Sequence, residues 1–304
     1  MSDIELPTLC MGTRGSALAM RQTEIVCNLI HKKHPDALIS TQIIATKGDI
    51  VQQCGLHQIG GQGVFVRELD NAIIEGTIEC AVHSMKDIPS IRPPGLTTIA
   101  VLPRDPPYDF LAHTCPDDEI HIIGTSSTRR QAQTLRYYHE MNHEITVSPL
   151  RGNVERRLSK LDSGEYDAVM LAEAGLVRLG YQIPGHRLPV DAFVPSPNQG
   201  TIAIVCRENS VFAFLLRELH DQQSGMDTAI ERVIMEEIGG GCFTPQGVYC
   251  EHGNLIAEIL SLDGTQYVRV VEKVSSIEQA HEIGKDLKNR AAPLIEAARK
   301  ELNL

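Results

Sequence analysis

Two α/β lobes joined by hinge strands in a clam-like arrangement, with a small α+β domain after them, are what three observations predict. Apolar runs of strand length alternate with amphipathic runs of helix length in two separate blocks, which implies a parallel sheet in each. Two proline-rich stretches, "LPRDPPYD" (102–109) and "VPSPNQG" (194–200), punctuate the alternation where neither a helix nor a central strand can continue. From about residue 222 the pattern changes to one helix, three extended runs and a long closing helix.

In the first block "TLCMGT" has the length of a short buried strand. "SALAMRQTEIVCNLIHKKH" is a helix, since Leu18, Ile25 and Leu29 recur at helical spacing behind Ser16, a residue type that caps helix N-termini. "ISTQIIAT" completes a βαβ unit. The glycine-rich "GLHQIGGQGVF" is followed by a helix "VRELDNAIIEG" ending on Gly76, a strand "ECAVHS", the proline turn "IPSIRPPG" and an extended "LTTIAVL". In the second block "EIHIIG", "EITVSP" and "DAVMLA" are strands, and "SSTRRQAQTLRYYHEM" and "NVERRLSKLDSG" are helices. "TIAIVCRE" arrives after the second crossing and is expected to return to the first lobe. The expected boundaries are 1–103 with 197–218 for lobe 1, 104–196 for lobe 2 and 222–304 for the C-terminal domain. There "MDTAIERVIMEEIG" is a helix and "GVYCEH", "LIAEILSL" and "QYVRVVEK" are extended, with "HGN" and "DG" as turns. Pro293 is expected to kink or interrupt the closing helix.

A net charge of −11 argues against broad binding to nucleic acid or to anionic membranes, so any anion must meet a local basic cluster. Aromatic residues are 4% and tryptophan is absent, which leaves no wall of base-stacking side chains. "MSDIELPT" lacks the basic start and apolar run of an export signal, and no run approaches the roughly 20 apolar residues of a membrane span. A cytoplasmic location with reduced thiols is expected. The eight cysteines form no CxxC pair, so neither a zinc ribbon nor a dithiol redox site is suggested, and no metal is expected. Most lie in apolar runs, as core fillers do. Cys242, in "GGGCFTPQG" (239–247), differs: its glycines permit close approach and leave the thiol accessible. Cys250 and His252 fit no standard ligand spacing with it.

Three strand-to-helix junctions, "GTRGS" (12–16), "GTSSTRRQ" (124–131) and "LRGNVERR" (150–157), each offer glycine, hydroxyl or Asn, and arginine. Helix N-termini carry unpaired N–H groups and partial positive charge, and guanidinium forks match carboxylates and phosphates. One such junction is an ordinary capped helix. Three at the carboxyl ends of strands, where α/β sheets bind ligands, point to a polyanionic ligand. "VHSMKDIP" (82–89) adds Lys86 and Asp87 directly after a strand, either an exposed ion pair or a carboxylate able to stabilise a cation or move a proton.

In this order "GTRGSALAMRQ", "GGQGVFVREL", "HSMKDIP", "GTSSTRRQ", "LRGNVERRLSKLD", "AGLVRLG", "PNQG" and "GGGCFTPQG" resemble the porphobilinogen deaminase (hydroxymethylbilane synthase) family over nearly the whole chain. The resemblance implies a monomeric transferase of three domains, two of them periplasmic-binding-protein-like lobes. It implies a dipyrromethane cofactor held through a thioether to Cys242. Four porphobilinogen molecules would be added to it in turn, each losing ammonia, before water releases linear hydroxymethylbilane. A thiolate captures the same methylene electrophile that loss of ammonia creates, which would load the cofactor without a separate enzyme. Asp87 corresponds to the catalytic carboxylate. Arg14, Arg129, Arg130, Arg151, Arg157 and Arg178 match positions that bind the acetate and propionate groups, assisted by Ser16, Lys86, Ser126 and Ser127. Gln22, Gln58, Phe65 and Gln199 fall in the cleft or its lid. The chain departs from the family pattern at Gln58 and Gln62, where lysine is common, at Thr128, often leucine, and at Asn198, usually glycine. The rival class is a two-lobed anion-binding protein, which would have no use for Cys242.

Overall fold

A computed structural model describes residues 8–46, 63, 66–239 and 244–302 of the chain. It divides into two compact units: Met1–Arg104 with Thr201–Gly225, and Asp105–Gly200 with Met226–Leu304.

The first unit opens with β1 (Leu9–Thr13), α1 (Ala17–Lys33) and β2 (Ile39–Ile43), followed by α2 (Arg67–Glu75), β3 (Cys80–Ser84) and β4 (Leu96–Val101). Gly76 ends α2 in the left-handed region at φ 77°, where a β-carbon is disfavoured. The second unit holds β5 (Asp109–His113), β6 (Ile122–Gly124), α3 (Thr128–Glu140), β7 (Thr146–Ser148) and α4 (Val154–Asp162), then β8 (Ala168–Ala172), α5 (Glu173–Leu179) and β9 (Gly185–Arg187). The chain then supplies β10 (Ile202–Arg207) and α6 (Ala213–Arg217) to the first unit. After α7 (Gln222–Ile238) come β11 (Gln246–Glu251), β12 (Asn254–Leu260), β13 (Tyr267–Lys273) and α8 (Ile277–Glu301).

The first sheet runs β2-β1-β3-β10-β4 and the second β7-β6-β8-β5-β9. Both are mixed rather than parallel, which corrects the expectation. Strands linked by helices within a unit are parallel, as β1 is to β2 and β3, and β6 to β7 and β8. β10 is antiparallel to β3 and β4, and β5 is antiparallel to β8 and β9. These two strands follow the crossings instead of a helix of their own sheet, so no helical crossover imposes a parallel direction on them. β5, β9, α5 and α6 are elements that the periodicity did not predict.

Alternation along each central strand buries both faces. Cys80 and Val82 of β3, with Ile202, Ile204 and Cys206 of β10, join the core against α1, where Val26 and Ile30 are buried. Ala81, Ala203 and Val205 face the other way, onto Leu69 and Ile73 of α2. In the second sheet Ala168 and Met170 pack with Leu111, Ile123 and Phe193, while Val169 and Leu171 pack with Leu150, Leu161 and Leu176. The cysteines at 80, 206 and 250 are wholly buried, as core fillers are.

The antiparallel sheet β11-β12-β13 packs on α7 and α8 around Ile234, Val248, Ile259, Leu287 and Ile295. Pro293 lies inside α8 without interrupting it. Its missing N–H and ring clash cost the helix about 3 kcal/mol, which the packing of Leu287, Ala291, Ile295 and Ala298 on either side offsets. This sheet is joined to α3 within the second unit: Glu258 of β12, fully buried, accepts from Gln133 Nε2 at 2.9 Å and Arg136 Nη1 at 3.0 Å. Among the described residues no helix is long and apolar enough to cross a membrane.

Candidate active site

In the first unit the end of β1, the start of α1 and the end of β3 enclose a pocket whose polar lining is Arg14, Ser16, Gln22, His83, Ser84 and Asp87. Ser16 caps α1, its Oγ accepting from the Ala19 amide at 3.3 Å. Gln22, one turn in and 2% exposed, donates from Nε2 to Ser84 Oγ at 2.8 Å, which fixes helix to strand end. The Met85 amide donates to the carbonyl of Thr201 at 2.9 Å and starts a short 3-10 turn, Met85–Asp87. That turn brings Asp87, half-buried, to the pocket wall and leaves Lys86 exposed and outside the lining.

His83 and Ser84 are the polar pocket residues that sequence reading passed over, and His83 is the more unusual of the two. It is 4% exposed, and its Nε2 has no hydrogen-bond partner. Burial, with the positive charges of Arg92 and Arg14 adding to it, lowers the imidazole from 6.5 to about 3. The ring is neutral at physiological pH. A histidine one residue before the end of an apolar strand was the available signal.

The second unit collects most of the predicted arginines. Asp109, at the head of β5 and fully buried, holds two of them. It accepts from Arg129 Nη1 at 2.7 Å, from Arg130 Nε at 3.0 Å and Nη2 at 2.7 Å, and from Gln199 Nε2 at 2.9 Å. Burial alone would raise its carboxyl; the Arg129 and Arg130 guanidiniums outweigh that and hold it well below the usual carboxylate range. Arg129 Nη1 also donates to Gln133 Oε1 at 2.8 Å and the Val194 carbonyl at 2.9 Å, and Arg130 Nη1 to the Met170 carbonyl at 3.0 Å. The carboxylate these two arginines grip is the protein's own. Sequence reading missed Asp109 because its partners lie 20 and 21 residues away.

Arg157 lies close enough to Arg130 and Arg151 to feel both. Burial, then those two like charges, lowers its guanidinium from 12.5 to about 10. Its Nε donates to the Gly152 carbonyl at 3.0 Å. Ser127 caps α3 by accepting from the Arg130 amide at 3.4 Å, and the neighbouring Ser126 Oγ is buried with no partner. Asn153 caps α4 in the same way, accepting from the Arg156 amide at 3.1 Å. Arg178 stands apart in its own pair, donating from Nε to Asp105 at 2.8 Å and from Nη2 to the Gly200 carbonyl at 2.6 Å; burial lowers it, against the pull of Asp105. Gln199 also donates to the Pro107 carbonyl at 2.8 Å. Asn198 adopts φ 62°, which accounts for a position where glycine serves equally well. Gln58, Phe65 and Cys242 lie outside the described residues.

The geometry defines an α/β protein with a carboxylate-bearing pocket in one unit and an arginine cluster in the other. Residues 9–213 match the family model described as "Porphobilinogen deaminase, dipyromethane cofactor binding domain", and residues 227–292 match "Porphobilinogen deaminase, C-terminal domain". The chain belongs to the porphobilinogen deaminase family, which is hydroxymethylbilane synthase, a transferase of tetrapyrrole biosynthesis acting on porphobilinogen. It is 45% identical over 291 residues to the probable porphobilinogen deaminase of Methanosarcina mazei, covering 91% of this chain and 90% of that one. It is 42% identical over 277 residues to that of Methanococcoides burtonii, covering 88% of each. With the porphobilinogen deaminase of Prochlorococcus marinus it shares 38% over 300 residues, covering 93% of each. Among solved structures, the effector-binding domain of BenM with its effector benzoate is similar at a TM-score of 0.41 and 17% identity, covering 70% of this chain and 89% of that one.

Dipyrromethane, the family's cofactor, carries several carboxylates. The residues fit such a group: a buried hydroxyl without a partner at Ser126 stands just before the N-terminus of α3, and Arg130 and Arg151 both press their charge on Arg157.

Proposed function

We propose that this chain condenses four porphobilinogen molecules in turn, each with loss of ammonia, and releases linear hydroxymethylbilane by hydrolysis, with Asp87 as the catalytic carboxylate. The observation that carries this is the composition of the first-unit pocket: a carboxylate, Asp87, shares it with Arg14, Ser16 and Ser84. Porphobilinogen needs that combination, since it presents pyrrole N–H and a departing ammonium beside an acetate and a propionate. Asp87 accepts from pyrrole N–H and stabilises positive charge as ammonia leaves. Arg14 and Ser16 hold carboxylates, with Lys86 assisting from the rim. Gln22, fixed by Ser84, and neutral His83 keep the wall of the pocket in place.

Cys242 is the attachment point of dipyrromethane, through a thioether. When bound, that group supplies the pyrrole carbon from which the chain is extended. Arg151, Arg157, Ser126 and Ser127 hold its carboxylates. Arg129 and Arg130 add positive potential from their seat on Asp109, and Arg178 and Gln199 complete the set. Gln58 and Phe65 belong to the lid. The enzyme works as a cytoplasmic monomer with no nucleic-acid or membrane partner, in three domains bounded as the sequence predicts.

Intact mass tests this reading. Protein made in cells that synthesise tetrapyrroles should exceed its sequence mass by one dipyrromethane and colour with Ehrlich's aldehyde reagent. Cys242→Ala should show neither. A wild-type mass equal to the sequence mass, without colour, removes the attachment.

A further inference from the structure

Away from the residues of the family reaction, at the β9 edge of the second sheet, three side chains from three elements converge. They are His113 at the end of β5, Asp117 in the 3-10 turn Asp117–Glu119, and His186 in β9. His113 Nε2 lies 3.1 Å from His186 Nδ1 and 3.2 Å from Asp117 Oδ1, and His186 Nδ1 lies 3.9 Å from the same oxygen. We infer that these three atoms form a binding site for a first-row divalent cation of the zinc type.

The spacing is the first reason. A triangle with sides of 3.1, 3.2 and 3.9 Å has its equidistant point about 2.0 Å from each corner, which is the length of a zinc–imidazole or zinc–carboxylate bond. A cation displaced slightly toward solvent from that plane keeps those bond lengths and leaves room for water on its outer side. Two imidazole nitrogens and one carboxylate oxygen suit zinc or its first-row neighbours; calcium and magnesium take oxygen ligands throughout.

The second reason is the state of the His113 ring. Its Nδ1 lies 2.8 Å from the Cys115 carbonyl. A carbonyl only accepts, so Nδ1 carries the hydrogen and Nε2 is the ring atom left to offer a lone pair to a cation. Metal-binding histidines are oriented by a carbonyl in this way. The His113 side chain is 11% exposed and forms the floor, while His186 at 42% and Asp117 at 66% form the rim, so a cation has a path in.

The third reason is what the site would join. β9 has three residues and sits at the edge of its sheet, paired with β5 through Phe110, Leu111 and Ala112. Gly185 permits that pairing: at φ 127° a β-carbon there would come within 2.1 Å of the Leu111 carbonyl. A cation held by all three side chains fixes this short edge strand and the turn at Asp117 to β5.

The test uses the full chain freed of metal with a chelator. Zinc added in competition with a chromophoric chelator should bind tightly at one equivalent. Asp117→Asn and His186→Asn should each weaken that equivalent at least roughly tenfold. Both residues are partly exposed, so both variants should keep the wild-type circular dichroism. Zinc should raise the melting temperature of the wild type and leave that of the variants unchanged. Cobalt bound at the site should give ligand-field bands without thiolate charge transfer. The inference is overturned by equal zinc affinity in wild type and both folded variants, or by a cobalt spectrum dominated by thiolate.

Discussion

Asp87 and Asp109 stand at the ends of strands in different units, and their surroundings are opposites. Asp109 is fully buried and receives four hydrogen bonds from Arg129, Arg130 and Gln199. Asp87 is half-buried on a pocket wall. A carboxylate held by four donors can organise a fold and has little left for a substrate. One that faces a pocket can respond to charge that develops there. A motif shows both kinds as the same letter, and only the neighbours separate them.

Three substitutions would break or sharpen the contrast. Asp87→Asn should lower turnover by about 10²–10⁴-fold, the range of a lost catalytic carboxylate, with little change in melting temperature. Near-normal turnover would mean that Asp87 is no more chemical than Asp109. Asp109→Ala should cost about 3–5 kcal/mol in a denaturant titration, because it strands Arg129 and Arg130 in the interior. A loss below about 1 kcal/mol would show that solvent reaches that cluster.

At neutral pH the smallest effect is that of His83, on the same pocket wall, because its contribution shows only as pH falls. Its folded value of about 3 lies below the unfolded 6.5, so the unfolded chain takes up the proton first as pH falls. The stability this group leaves intact above pH 6.5 is therefore lost progressively down to about 3, at no more than about 1.4 kcal/mol per pH unit. His83→Gln should flatten the stability profile across that window. An unchanged profile would place a charged ring in the wild-type pocket.

Much of the fold was legible because local signals agreed with one another. Strand-length apolar runs, helical spacing and the cap at Ser16 lie where the sequence put them, and the structure adds caps at Ser127 and Asn153 where two of the arginine-bearing junctions open into helices. β5 was illegible because it opens on a buried Asp109 directly after the prolines of the crossing, and its arginine partners belong to α3. β9 was illegible because three residues beginning with glycine carry no period. The same limit hid the histidine cluster. His113 and Asp117 are four apart, but His186 is 73 residues beyond His113, and only sheet pairing brings it back. Arginines near helix starts were visible as a class. Which of them face an internal acid and which crowd one another depended on contacts across the sheet.

The placement of β10 between β3 and β4 has a consequence for the order of events during synthesis. β3 and β4 are not hydrogen-bonded to each other; each waits for a partner more than a hundred residues downstream. Residues 105–200 can emerge from the ribosome and begin to pair their own strands while the first sheet still has a gap through its middle. The segment translated first is thus the last to close, and until then β3 exposes an unpaired edge flanked by Val82 and Ala81. A nascent chain stalled before residue 202 would be the form most in need of a chaperone.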